Sequence, residues 1–286
     1  MFNYHELTIN QPRNSPAQRK QLLIISTIMA ACFFQAVLSS GGFTTVNIDP
    51  NGIFPGGGFV YKLAQRDYAA SMSLVERIAH DVATARQSPS TDDFADVLYT
   101  IYLDDPRVAG GSQQRFASGY LAIADDDVTS RTHVYQQLLA VNDRIRPATE
   151  QEASELPVME LWNRLPYQAA DLPSVNAAVV QFPFTDGFVS ALIHSWKVIP
   201  ALREYASKHA VEGSPVVVIT TCSKKQSMCT HYAPLAEGRQ FLLGQPDAET
   251  WNEALGPEPL IDWDGVQKSL NLMFPLLKHF RQKKLQ

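Results

Sequence analysis

A chain of 286 residues, 45% hydrophobic and 19% charged, can bury one core of roughly 200 residues beside any appendages. A net charge of −5 without a long basic block gives no electrostatic footprint for a nucleic-acid backbone, so nucleic acid is not an expected partner. Three cysteines, Cys32, Cys222 and Cys229, are too few for a disulfide scaffold or a four-thiolate zinc site.

A polar segment, residues 1–21, precedes an uncharged apolar run from Leu22 to Ser39 that Gly41, Gly42 and Phe43 can extend. A run of that length predicts one uncleaved transmembrane helix over 22–43, because signal-peptide cores are shorter, about 7–15 residues. Gln35 lies within it, and a lone amide there predicts contact with a neighbouring helix. Arg13, Arg19 and Lys20 precede the run and no basic residue follows until Lys62, which places the N-terminus on the cytosolic or matrix side. The soluble domain is then expected in a lumen or the mitochondrial intermembrane space.

Residues 44–58 read as a turn-rich connector, with Asp49-Pro50-Asn51-Gly52 and Phe54-Pro55-Gly56-Gly57-Gly58. Two similar passages follow. Phe59 to Leu63 reads as a strand, Leu74, Val75, Ile78 and Val82 mark an amphipathic helix, and strands follow over 97–103 and 116–123. The second passage has a strand over 177–184, a helix capped by Asp186 and running to about His209, and a hairpin of 215–222 with 228–232. Each reads strand, helix, strand, strand. Such a duplicated β-α-β-β unit predicts an α+β domain over 59–238, with pseudo-twofold symmetry and helices on one face of a mainly antiparallel sheet.

The stretches Val60-Tyr61-Lys62, Tyr102 to Pro106, Phe182-Pro183-Phe184-Thr185, Ile199-Pro200-Ala201-Leu202 with Tyr205, and Cys229 with Pro234-Leu235 occur in an order that resembles the GyrI-like (SOUL-related) effector-binding fold. The detail, behind an N-terminal anchor, is similar to the membrane-anchored testis-expressed protein 264 family of endoplasmic-reticulum autophagy receptors. That resemblance implies a cleft for an amphipathic small molecule between the repeats, around which Tyr61, Tyr102, Tyr120, Phe182 and Trp196 are placed. It also implies a cytosolic domain and a long tail with an adaptor-binding motif, and the chain departs from both. One candidate motif survives, Trp263 to Val266 with Asp262 upstream; its alternative is the start of an amphipathic helix carrying Val266, Leu270, Met273, Phe274 and Leu277 within a C-terminal extension, residues 239–286.

An insertion at about 125–171 separates the repeats and reads as a lid or a docking surface, with Trp162 and Tyr167 as aromatic anchors. No nucleophile elbow, zinc helix, phosphate loop or dinucleotide fingerprint occurs, and no residue matches a family catalytic glutamate, so no catalytic residue and no cofactor are expected. Cys222, Cys229 and His231 come nearest to a metal cluster but lack a fourth ligand, so no metal is expected. Cys222 and Cys229 form either a cross-hairpin disulfide, which needs an oxidising compartment, or two free thiols.

These readings converge on a membrane-anchored, non-catalytic binding or scaffold protein: an accessory subunit of a membrane complex, favoured in the mitochondrial inner membrane. Its partners are other membrane-protein subunits and the lipid bilayer. The alternatives are an endoplasmic-reticulum autophagy receptor and a small-molecule-binding or hydrolytic GyrI-like domain.

Overall fold

The computed structural model describes residues 16–87, 97–105, 108–109, 113–123, 128–149, 152, 156–185 and 187–255. Asp186, Trp263, Val266 and the expected C-terminal amphipathic helix lie outside them.

Helix α1, Pro16–Ser39, begins before the apolar run and stops short of Phe43. It stops because Gly41 takes φ 77°, open to glycine at little cost. The Gly41 N–H donates to the Leu38 carbonyl at 3.1 Å and the Gly42 N–H to that of Val37 at 2.8 Å, the paired bonds of a Schellman cap. Among the described residues no helix is long and apolar enough to cross a membrane, so the spanning helix expected over 22–43 is not shown.

The eight strands are β1 (Asp49–Phe54), β2 (Gly57–Gln65), β3 (Leu98–Tyr102), β4 (Arg115–Ala122), β5 (Gln168–Leu172), β6 (Val175–Pro183), β7 (Val218–Ser223) and β8 (Met228–Pro234). They form one curled antiparallel sheet in the order β1-β6-β8-β7-β3-β4-β2-β5. The helices are α2 (Ser71–Ala85), α3 (Val128–Ala140), α4 (Val158–Arg164), α5 (Phe188–Ile193), α6 (Ile199–His209) and α7 (Ala248–Leu255). The expected α+β class and strand-helix-strand-strand duplication are both present.

Each half carries one strand more than expected. β1 and β5 each enter through a two-residue turn, Pro55-Gly56 and Pro173-Ser174, into the first strand of their own half. Neither pairs with that neighbour: β1 pairs with β6 and β5 with β2, so the halves exchange edge strands. The connector expected over 44–58 therefore holds an edge strand and the start of β2.

Two cores follow from strand alternation. On the helix side, Leu74, Ile78 and Val82 of α2 and Leu202 and Ala206 of α6 bury against Val60, Phe116, Tyr120, Val180 and Val218. Each large apolar side chain fully buried there contributes about 1.5–3 kcal/mol. The opposite face, with Phe59, Tyr99, Ile101 and Ile219, is filled by Phe54 and by Phe241 and Leu242 of the turn after β8. Phe241 meets Phe54 edge to face, with ring centroids 5.4 Å apart.

The two aromatic anchors of the insertion are not exposed for docking: Trp162 is 0% and Tyr167 2% exposed. Trp162 closes the helix-side core over Phe116 and donates Nε1–H to Ser73 Oγ at 2.9 Å. Both leave the set of partner contacts expected from sequence.

Candidate functional site

The helix-side face carries a buried polar row at one level of the sheet. Cross-strand register places Val180 beside His231, His231 beside Thr220, Thr220 beside Thr100, Thr100 beside Ser118, and Ser118 beside Lys62. The β3–β7 pair with the two threonines is the middle of the strand order, and alternation sends all of these side chains toward the helices. Thr100 and Ser118 hydroxyls satisfy one another at 2.9 Å. A cluster of buried polar side chains lies on each side of them.

At one end, a π-helical turn, His194–Val198, joins α5 to α6 and lowers His194 onto β8. Such turns are frequent where a side chain is placed for function. His194 Nε2 lies 3.0 Å from the Pro183 carbonyl, which only accepts, so Nε2 carries the hydrogen. Burial lowers the His194 pKa to about 4, against the opposing hydrogen bond to Pro183, and the ring is neutral with a bare Nδ1. His231 Nε2 stands 2.8 Å from that Nδ1 and must donate to it. Its own Nδ1 is then bare, because burial and then the neighbouring His194 hold its pKa well below the usual range, and accepts the Thr220 hydroxyl at 2.8 Å. One directed chain results: Thr220 to His231 to His194 to the Pro183 carbonyl.

Cys222 and Cys229, opposite each other on β7 and β8, are joined by a disulfide with Cα atoms 4.0 Å apart. Cys229 faces the same way as His231, and the ligating atoms of His194, Cys229 and His231 lie within 4.8 Å of one another. Sequence reasoning found two of these three and missed His194. Its only signal was the helix following Phe182-Pro183-Phe184, whose rotation on the sheet spacing cannot give.

At the other end, Lys62 is 1% exposed and donates Nζ–H to the Trp162 carbonyl at 2.8 Å, over the Tyr167 ring. Desolvation lowers its pKa to about 8; Asp81 works against that and Arg77 with it. Tyr167 Oη–H donates to Asp81 Oδ2 at 2.7 Å, and Arg77 pairs with Asp81 at 3.0 Å. Asp81 also borders an open groove of about 310 Å³ between α2 and α3, with Thr84, Leu138, Val141 and Arg144 among its walls.

The five residues placed around a ligand cleft do not meet. Tyr61 lies on the face away from the helices, stacked on Phe59 and bonded to Gln168. Tyr102, Tyr120 and Phe182 are on the helix face: Tyr102 bonds Ser71, Tyr120 accepts from Arg86, and Phe182 packs edge-on against His194. Trp196 stands 65% exposed to solvent. Gln35 is exposed on α1.

No family model matches the chain, and no curated protein matches it. Solved structures similar to it include a hydrolase from Listeria innocua, at 8% identity and TM-score 0.34 over 66% of this chain and 91% of that one. The C-terminal domain of EcmrR is similar at 11% identity and TM-score 0.34, over 66% of this chain and 96% of that one. An uncharacterized conserved protein from Listeria innocua follows at 9% identity and TM-score 0.33, over 66% and 91%. At this level the likeness carries neither activity nor ligand to the present chain.

Proposed function

We propose that the chain is a membrane-anchored, non-catalytic binding subunit: α1 seats in a bilayer among neighbouring helices, and a GyrI-like domain docks on the partners' extramembrane parts. The observation that carries this reading is the surface of α1. Leu23, Ile24, Ile25, Ile28, Met29, Phe33, Phe34 and Leu38 are each 44% to 68% exposed. Consecutive positions such as 23, 24 and 25 point around the whole circumference, and water tolerates so extensive an apolar surface poorly. No charge interrupts the sequence between Lys20 and Asp49.

The cap of α1 is fixed to the domain, as an anchor that transmits position requires. Lys197 Nζ donates to the Gly42 carbonyl at 2.8 Å, Ser40 shares a hydrogen bond with Thr185, and Gly41 lies against the Phe182 ring. The disulfide supports an oxidising location, and Arg13, Arg19 and Lys20 before α1 support an N-terminus on the cytosolic or matrix side if α1 crosses the bilayer. A mitochondrial inner-membrane complex with the domain in the intermembrane space satisfies both. A non-catalytic role is supported by His194, His231 and Lys62 being engaged in internal hydrogen bonds.

The test is extraction followed by native mass. The protein is expected to resist alkaline carbonate, then migrate in mild detergent as a stoichiometric member of a large membrane complex. Release by carbonate overturns the anchor; migration as a lone species overturns the subunit and favours the receptor alternative.

A further inference from the structure

We propose that His194, His231 and Cys229 form a redox-gated site for a zinc-like divalent cation, opened when a dithiol reductant cleaves the Cys222–Cys229 disulfide. This site is independent of how the chain meets a membrane. Three elements converge on it: the π turn supplies His194, β8 supplies Cys229 and His231 two residues apart on one face, and β7 supplies Thr220. The three ligating atoms already lie within 4.8 Å of one another, close to the separation needed for zinc at about 2.0–2.1 Å from nitrogen and about 2.3 Å from sulfur.

The outer hydrogen bonds, to Pro183 and Thr220, can be kept when a metal replaces the bond between the two imidazoles. Zinc takes Nδ1 of His194, whose Nε2–H stays on the Pro183 carbonyl. It also takes Nε2 of His231, whose hydrogen moves to Nδ1 and now donates to Thr220 Oγ1, reversing that bond, while the two rings part from their 2.8 Å contact to the roughly 3.3 Å that two zinc-bound nitrogens need. Both imidazoles thus keep the outer partners that orient metal-bound histidines. The third ligand is withheld by oxidation, because a disulfide sulfur is not a thiolate.

The dithiol gives two electrons and two protons to the disulfide, becoming a disulfide itself and leaving thiols at Cys222 and Cys229. Metal binding then releases one proton, from Cys229 to water, while the His231 proton only changes nitrogen. Cys222 leaves with its hydrogen, and water completes the fourth position. The gate therefore lies in one covalent bond.

Cobalt(II) substitutes for zinc and reports thiolate ligation by its near-ultraviolet charge-transfer absorption. The full-length protein in detergent, with Cys32→Ala to remove the remaining thiol, is expected to show that band at one cobalt per chain after reduction and desalting. The oxidised protein is expected to show none. Cys222→Ser, which leaves Cys229 unpaired, should bind without any reductant, and adding His231→Asn should abolish the band. Thr220→Val should retain the band while weakening affinity about 10–100-fold, as loss of an outer partner does. The proposal is overturned if neither the reduced protein nor Cys222→Ser gives the band, or if the band survives both His194→Asn and His231→Asn in chains whose circular dichroism is unchanged.

Discussion

Arg115 holds the most completely buried charge pair described, and its worth can be measured. Its Nε and Nη2 clasp both oxygens of Asp104, the Asp104 backbone N–H rests on Tyr68 Oη, and Nη1 reaches the Pro246 carbonyl while the guanidinium lies over Trp251. Asp104 is 0% exposed, so Arg115→Met strands a carboxylate away from water. The expected cost is about 3–5 kcal/mol, read as a lower urea midpoint at unchanged slope. Adding Asp104→Asn should recover part of that loss; no recovery would show that Arg115 acts through packing on Trp251 alone. Lys62 gives a test with a sign. Its folded pKa, about 8, lies below the ordinary 10.5, so between those values the unfolded chain holds more protons and stability rises with pH. Wild type should therefore gain on Lys62→Met as pH rises from 8 toward 10, and parallel profiles would mean that the ammonium stays hydrated. The sequence marks Val60-Tyr61-Lys62 as a motif but not that a lysine is enclosed, because its burial depends on Trp162, 100 residues later.

At the scale of elements, the six strands of the duplicated unit are legible because β-branched and aromatic residues alternate between turn signals. β1 is not legible. Asp49-Pro50-Asn51-Gly52 reads as a turn, and it is tolerated in a strand because β1 is an edge whose register shifts between Asp49 and Gly52. β5, Gln-Ala-Ala-Asp-Leu, is equally weak by propensity and is held by its pairing with β2. The helix expected from Asp186 to His209 is interrupted by the π turn just before Pro200, a residue without the N–H an α-helical ladder needs. The interruption places His194, which is why the candidate site was only partly legible. Trp162 and Tyr167 show a related limit, since aromatic residues suit a core and an interface equally. The α1 junction is the element with the clearest single point of failure. A Cβ on Gly41 would stand 2.7 Å from Phe182 Cε1, at a φ of +77° that costs a side chain about 1–2 kcal/mol. Gly41→Ala should speed proteolysis between α1 and β1 while leaving the domain's urea midpoint unchanged. Unchanged cleavage would show that the cap does not govern how α1 is held.

For the whole molecule, the exchange of β1 and β5 makes each half complete the other's sheet, and the paired Thr100 and Thr220 join the halves in the middle. The strands behave as one body, fixed to α1 through β6 and α5, so a force or contact on the helix is carried into the sheet. Whether that helix has companions turns on Gln35. An exposed amide on a mainly apolar surface, unlike the Thr27 and Ser39 hydroxyls that bond the helix's own carbonyls, needs a partner if lipid surrounds it, and an interhelical hydrogen bond there contributes about 0.6–2 kcal/mol. Gln35→Leu should then loosen the assembly about 3-fold to 30-fold, seen in native mass as the complex dissociating at lower detergent concentration. If α1 instead stands in water, the same change adds apolar surface where none is wanted and strengthens self-association. The two environments thus move one measurement in opposite directions, and a single substitution distinguishes them.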